Sequence, residues 1–182
     1  MRIFSTALLF LLPACDPPDE RLTALPSEMK VVLSHDQWTV VESVGQLGPG
    51  DPFQDPKECP DSSINIEGDY LEINTDYCAD VVMEQALPED LESGTTLSVD
   101  HWHLTLWSPE PSVGTFQFSA EGEVFAQRTF DIPGGADYEL VEWQIADDLP
   151  AGTTFRLTLQ NHGTNSWRFG DVTTSRTPKV TR

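Results

Sequence analysis

The chain has 182 residues, with 30 acidic and 10 basic side chains and a formal net charge of -20. This length suits one ordinary domain with short appendages, and the 38% apolar fraction is lean but sufficient for a single core. The acidic excess argues against nucleic-acid binding, because phosphate recognition depends on Lys and Arg. It also argues against electrostatic attachment to an anionic membrane surface. No apolar run reaches the roughly 18 to 20 residues that a membrane-spanning helix needs.

Residues 1–14 have the pattern of a secretory signal peptide, with a short positive start followed by an apolar stretch. An ordinary signal-peptidase site would place Leu12 at position −3, where a small residue is preferred. The run Leu-Pro-Ala-Cys that ends at Cys15 instead resembles the bacterial lipobox. This resemblance implies that Cys15 becomes the lipidated N-terminus of an exported bacterial lipoprotein, anchored to either the inner or the outer membrane. The alternative is an ordinary secreted protein with a fortuitous cysteine.

Cysteine usage supports export. If Cys15 carries lipid, Cys59 and Cys78 are left as a pair in an oxidising compartment. A disulfide between them would close a loop of about 20 residues, which the chain-entropy model values at roughly 3 kcal/mol. Two free thiols or a metal-binding pair are the alternatives, although the flanking segments contain no His or third Cys. Residues 15–30 are Pro-rich and charged, and we expect a flexible, disordered linker there.

Residues 31–177 have the pattern of an all-β domain, in which short β-prone runs alternate with clusters of Gly, Pro, Asp and Ser. In chain order, the predicted strands are residues 37–44, 63–67, 70–74, 95–107, 114–119, 124–132, 138–145, 153–161 and 166–173. Residues 81–87 are predicted to form one helical turn, and 48–62 a long Pro-rich loop. Residues 178–182 remain as a tail. The pattern predicts an antiparallel β-sandwich.

The predicted strand 95–107 alternates apolar and polar side chains at its C-terminal end. The apolar side chains at positions 102, 104 and 106 share one face, which is predicted to enter the core. His101, His103 and Trp107 share the opposite face, which is predicted to be exposed. Two imidazoles about 7 Å apart along one strand, with a Trp at its end, form a candidate site.

The predicted strand 153–161 alternates in the same way and supplies the other candidate residues. Arg156 and Gln160 lie opposite an apolar face, and His162 continues the polar side into the following turn. If this strand and 95–107 are neighbours, their polar faces form one glycan-binding platform. Trp107 would then stack on a sugar ring while the His, Gln and Arg side chains hydrogen-bond the sugar hydroxyls.

Two other hypotheses compete with the glycan platform. His101, His103 and His162 could converge on zinc or copper. Alternatively, these histidines only bond their neighbours on a solvated sheet face. An enzyme is not expected, because the sequence has no Gly-x-Ser-x-Gly elbow, no His-Glu-x-x-His motif and no phosphate-binding Gly loop.

From about residue 71 to residue 173, the order of elements resembles the galactose-binding-like jelly roll of many carbohydrate-binding modules. The matching runs are SVDHWHLTLW after a Gly turn, TFQFSAEGEVFAQRTFDIP, YELVEWQI, AGTTFRLTLQ and the closing WRFGDV. The resemblance implies a jelly-roll sandwich with a non-catalytic, glycan-binding role. In some members an Asp of the terminal strand helps to hold a structural calcium ion, and Asp171 would be its counterpart. No other cofactor is implied.

The sequence therefore predicts a non-catalytic envelope lipoprotein whose β-sandwich binds extracellular or cell-envelope glycan. The alternatives are a structural or assembly lipoprotein that contacts another envelope protein, or a His-based metal-binding protein. A glycan-binding domain should expose Trp107 beside polar groups, whereas an assembly protein should expose a flat apolar patch.

Overall fold

The structure is a computed structural model, which describes residues 29–45 and 58–175. The predicted signal peptide, the lipidation site at Cys15, nearly all of the linker and the tail 178–182 lie outside the described residues. None of the helical segments in the described part of the chain has the length and hydropathy needed to cross a bilayer.

Twelve strands make up most of the described residues, with one short 3-10 turn at Asp61–Ser63. The strands are β1 (Lys30–Leu33), β2 (Thr39–Gly45), β3 (Ile64–Glu67), β4 (Tyr70–Asn74), β5 (Cys78–Ala86), β6 (Thr96–His103), β7 (Ser112–Ala120), β8 (Glu123–Ile132), β9 (Asp137–Gln144), β10 (Thr154–Asn161), β11 (Ser166–Phe169) and β12 (Val172–Ser175). Most of the strands predicted from the alternation pattern are present, with boundaries that differ by a few residues. The predicted strand 166–173 is instead two strands, β11 and β12, and β1 was not predicted.

The strands form two antiparallel sheets that pack face to face. Sheet A has the order β1-β12-β6-β11-β4-β3, with β9 paired to the other side of β6. Sheet B has the order β2-β5-β10-β7-β8. From β6 onward the chain passes repeatedly between the sheets, as a jelly roll requires. The core lies between them and includes Phe116, Phe118, Leu157, Val141 and Trp167. The predicted antiparallel β-sandwich is confirmed.

The helical turn predicted at residues 81–87 is wrong, because this segment belongs to β5. Alternation buries Val81 and Met83, while Val82 and Glu84 are only half-buried. Consecutive β-branched residues at 81 and 82 favour an extended backbone. The strand is also paired on both sides, since Met83 lies opposite Leu157 of β10 and opposite Val40 of β2.

Cys59 and Cys78 form the predicted disulfide, with their Cα atoms 5.1 Å apart. Cys78 is the first residue of β5 and is fully buried, and Cys59 packs against the core. The bond therefore fastens the segment before β3 to the second strand of sheet B.

Candidate functional site

The two histidines of β6 point into the core, so their predicted exposure is wrong. His101 is 1% exposed and His103 is 2% exposed. Their rings lie 5.4 and 5.1 Å from the ring of Trp167, measured between centroids. The N-terminal half of β6 sets this orientation, because Leu97 and Val99 face inward and a regular strand carries the same side to positions 101 and 103.

Trp102 was predicted to enter the core, which would have placed His101 and His103 on the exposed face of β6. It is only half-buried and lies on the outer face of sheet A. The guanidinium carbon of Arg168 sits 4.2 Å from its ring centroid, and Tyr70 meets it edge-on at 6.0 Å. A cation-π contact and an edge-to-face pair stabilise an aromatic side chain at a surface position. An apolar side chain in β6 therefore faces outward without disturbing the core.

The buried histidines are hydrogen-bonded parts of the packing. His101 Nδ1 donates to the Arg168 carbonyl at 3.0 Å, and His103 Nδ1 donates to the Leu104 carbonyl at 2.8 Å. Because a carbonyl only accepts, these bonds place a proton on Nδ1 of each ring. Burial lowers the pKa of His101 to about 3. Neither ring can reach a ligand at the surface, so both are removed from the candidate site.

Trp107 is held at the surface on a fixed backbone. β6 ends at His103, and the strand alternation ends with it: Leu104 is exposed, Leu106 is fully buried and Trp107 is 57% exposed. Thr164 N–H donates to the Trp107 carbonyl at 2.7 Å, and Trp107 N–H donates back at 3.3 Å. This two-bond bridge fixes the position from which the indole projects.

His162 lies on the loop to which Trp107 is bonded. Its side chain is exposed, and its carbonyl accepts a bond of 3.2 Å from Ser112 Oγ. Asn165 on the same loop donates through Nδ2 to the Thr105 carbonyl at 2.6 Å. We call Trp107 together with residues 162–165 the Trp107 end of the sandwich.

Tyr77 is an exposed aromatic residue near the same loop, and the sequence analysis did not single it out. The turn that contains it is bonded to the loop, because Thr75 N–H donates to the Asn165 carbonyl at 2.9 Å. Tyr77 precedes β5 in a turn, where strand alternation carries no information about exposure.

Arg156 and Gln160 lie on the outer face of sheet B. The burial of β10 alternates at every position, and both side chains are on the exposed side. Arg156 Nε donates to Glu84 Oε1 of the neighbouring β5 at 3.0 Å. On the β7 side, Gln160 is opposite Thr115, which hydrogen-bonds Thr129 of β8 at 3.1 Å.

Polar side chains from three neighbouring strands cover this surface, which we call the polar face. Its members are Arg156, Thr158 and Gln160 of β10, Thr115 and Gln117 of β7, and Gln127 and Thr129 of β8. Gln160 is next to the last residue of β10, so the polar face leads directly to His162 and the Trp107 end.

At the end that is farther from the Trp107 end, beside Arg156, the polar face meets a groove. Two adjoining cavities of about 670 and 300 Å³ share Glu84 and Thr154 in their walls. Gln37 and Thr39 line the larger cavity, and Arg156 lines the smaller one. The groove contributes carboxylate, amide and hydroxyl groups that the sequence analysis did not assign to a site.

The single platform predicted from the two strands does not form. β6 belongs to sheet A and β10 to sheet B, where the partners of β10 are β5 and β7. The six predicted ligand-binding residues are therefore divided. His101 and His103 are in the core, whereas Arg156 and Gln160 are on the polar face. The remaining two, Trp107 and His162, are at the Trp107 end.

The structure does not bring together the three histidines of the predicted zinc or copper site. Within residues 29–45 and 58–175, no three His, Cys, Asp or Glu side chains lie together in a way that could hold a metal ion. His162 is on an exposed loop, away from the two histidines of the core. Asp171 Oδ1 accepts bonds from the His35 backbone N–H at 2.8 Å and from His35 Nδ1 at 2.7 Å. The calcium role of Asp171 stays a prediction.

No protein-family model matches the chain, and no curated protein matches it in sequence. Its fold is similar to that of TmCBM27, a carbohydrate-binding module that recognises mannan. The identity is 11%, with 84% of this chain and 98% of that chain covered and a TM-score of 0.50. A family 29 module is similar at 13% identity, 82% and 88% coverage and a TM-score of 0.41. The family 11 module from Clostridium thermocellum is similar at 10% identity, with 80% of this chain and 94% of that chain covered and a TM-score of 0.41. The similarity to TmCBM27, together with the order of strands in the two sheets, shows that the chain has the predicted jelly-roll fold.

Proposed function

We propose that the β-sandwich is a non-catalytic glycan-binding domain whose site runs from the Trp107 end along the polar face. The exposed indole of Trp107 carries the proposal, since it projects from a backbone fixed by two hydrogen bonds. An aromatic ring at such a position can stack on the C–H face of a sugar. Because its backbone is already ordered, little of the binding free energy is lost in fixing it.

The polar face supplies the groups that bind sugar hydroxyls. Amide and hydroxyl side chains both donate and accept hydrogen bonds, as sugar hydroxyls do, and here they stand in rows on a rigid sheet. From Gln160 to Arg156 the face extends about 13 Å at 3.3 Å per residue, and the groove continues it. This length suits an oligosaccharide chain better than one sugar ring.

We also propose that the domain belongs to an exported lipoprotein of the bacterial envelope. The lipobox-like run ending at Cys15 supports lipidation, and the Cys59–Cys78 bond is of the kind that persists in oxidising compartments. Cys15→Ser should move the protein from the membrane fraction to the soluble fraction and abolish palmitate labelling. A Cys15→Ser variant that keeps both its label and its membrane association would contradict lipidation.

A glycan array tests the binding proposal. The wild type is compared with Trp107→Ala and with Tyr138→Ala, a matched control that removes an equally exposed aromatic side chain from sheet A. Mannan belongs among the probes, because TmCBM27 recognises it. We expect the wild type and Tyr138→Ala to bind the same glycan, and Trp107→Ala to lose it. If the wild type binds no glycan on the array, or if Trp107→Ala binds the same glycan as the wild type, the proposal is refuted.

A further inference from the structure

The outer face of sheet A carries an apolar patch on the side of the molecule opposite the polar face. Tyr138 is 61% exposed, Leu140 53% and Leu104 41%, and Trp102 is half-buried beside them. Trp102 lies directly opposite Tyr138 in the pairing of β6 with β9. Trp102, Leu104 and Tyr138 also line one open cavity of about 510 Å³. Contiguous exposed apolar groups of this kind mark interaction sites.

The centre of the apolar patch is held rigid by its neighbours. Arg168 covers one side of the Trp102 ring, and it is fixed in turn by Glu72, whose Oε1 is 3.1 Å from Nη2, and by Glu67. Tyr70 contacts the ring edge and donates through its hydroxyl to Asp100 Oδ2 at 2.6 Å. An aromatic residue fixed before binding is a favourable anchor for a partner.

The rim of the apolar patch is acidic. Glu142 shares the outer face of β9 with Tyr138 and Leu140, and Asp137, the first residue of the strand, lines the cavity beside Tyr138. Neither carboxylate has a basic partner among the described residues. The guanidinium of Arg168 is already paired with two carboxylates. A partner that covers the apolar groups must therefore bring positive charge to this rim. A second copy of the chain, with a net charge of -20, would be repelled.

We propose that the apolar patch docks a basic segment of a partner protein. Apolar side chains of the segment cover Tyr138 and Leu140, and its Lys or Arg side chains pair with Asp137 and Glu142. The arrangement matches protein interfaces, in which Trp and Tyr form the centre and charged groups form the rim. The domain then has two binding surfaces on opposite sheets, one for glycan and one for protein.

Synthetic peptides test the proposal on the whole chain. The probe is a short peptide of alternating Lys and Val, and the comparison peptides alternate Lys with Ser and Glu with Val. The double variant Tyr138→Ser/Leu140→Ser removes the apolar groups without changing the charge. Its matched control is Val113→Ser/Val124→Ser, which alters two exposed valines of sheet B. Thermal unfolding of each variant verifies that it is folded.

We expect the Lys-Val peptide to bind the wild type and the valine control equally. Its affinity for Tyr138→Ser/Leu140→Ser should fall about tenfold or more, as for hot-spot residues. Asp137→Asn/Glu142→Gln should weaken binding and reduce its salt dependence. Equal binding to the patch variant, or equal affinity for the Lys-Ser peptide, would overturn the proposal, since charge alone would explain the binding.

The same variants separate this proposal from the glycan proposal. Trp107→Ala should lose glycan and keep the peptide, and the patch variant should do the reverse. Loss of glycan binding in the patch variant alone would assign the glycan to sheet A and contradict both proposals. Loss of glycan in Trp107→Ala together with unchanged peptide binding in the patch variant would contradict only the protein-docking surface.

Discussion

Acid should destabilise the domain through His101. The ring is 1% exposed and lies 4.5 Å from Phe116, 4.8 Å from Phe169 and 5.4 Å from Trp167, measured between centroids. Burial lowers its pKa from 6.5 to about 3, because a charged imidazole would lose its hydration there. The unfolded chain therefore binds this proton below about pH 6.5, while the folded chain stays neutral until about pH 3.

The free energy of unfolding accordingly falls as the pH drops through that window. Each pH unit between the two pKa values costs about 1.4 kcal/mol, so the full window amounts to about 5 kcal/mol. This is comparable with the total stability of an ordinary domain. His103, whose ring is 5.7 Å away, further disfavours charging His101. Glu139 is opposite His101 in the sheet but is paired with Arg128.

Urea unfolding followed by tryptophan fluorescence measures this effect. His101→Phe fills the same aromatic environment with a ring that does not titrate, and His162→Phe is the matched control at an exposed histidine. Between about pH 6 and pH 4, the wild type and His162→Phe should lose about 1.4 kcal/mol per pH unit more than His101→Phe. Parallel pH dependence in all three proteins would refute the assignment of His101 as a neutral buried group.

Two further predictions concern packing and hydrogen bonding. Gly114→Ala would place a Cβ 2.6 Å from Trp167 Cζ2, so we expect a loss of about 1 to 3 kcal/mol in thermal or urea unfolding. Gly135→Ala, which meets open space, should leave stability nearly unchanged, and equal melting of the two variants would contradict the packing. Tyr70 should ionise only near pH 12, because donation to Asp100 raises its pKa to about 12. Ultraviolet titration of wild type and Tyr70→Phe should differ by one late-ionising tyrosine, and a difference near pH 10 would contradict this bond.

Strand alternation predicted β10 completely and β6 only in part. In β10, Phe155 and Leu157 face inward and Arg156 and Gln160 outward, because the strand is regular and paired on both sides. In β6, the alternation correctly showed that Trp102 faces the opposite way from His101 and His103. The prediction that Trp102 enters the core was wrong, because the two histidines do so instead.

The residues before the two histidines indicate which face of β6 enters the core. Leu97 and Val99 are apolar at odd positions, so a continuous strand must bury positions 101 and 103 as well. Trp102 outweighed that signal in the sequence analysis because a large aromatic residue usually belongs to the core. Its partner Arg168 is 66 positions away in the sequence, and no local pattern reveals such a contact.

The division of the candidate residues between two sheets was also beyond local patterns. The pairing of β10 with β5 and β7, and of β6 with β9, β11 and β12, joins segments far apart in the chain. A jelly roll passes from sheet to sheet between consecutive strands, so two strands with similar polar faces need not be neighbours. The polar side of β10 was found because it depends only on nearby residues. Trp107 is exposed as predicted, but it lies beyond the end of β6 on a backbone bonded to Thr164, a contact that the alternation did not reveal.

The indole N–H signals of the protein in solution test the glycan site most directly. During titration with the oligosaccharide identified on the array, the Trp107 signal should shift and reach saturation, and Trp107→Phe assigns that signal. The buried indole of Trp167 and the Arg168-covered indole of Trp102 should stay in place. Saturable binding with an unmoved Trp107 signal, or a shift at Trp102 instead, would contradict a glycan site at the Trp107 end.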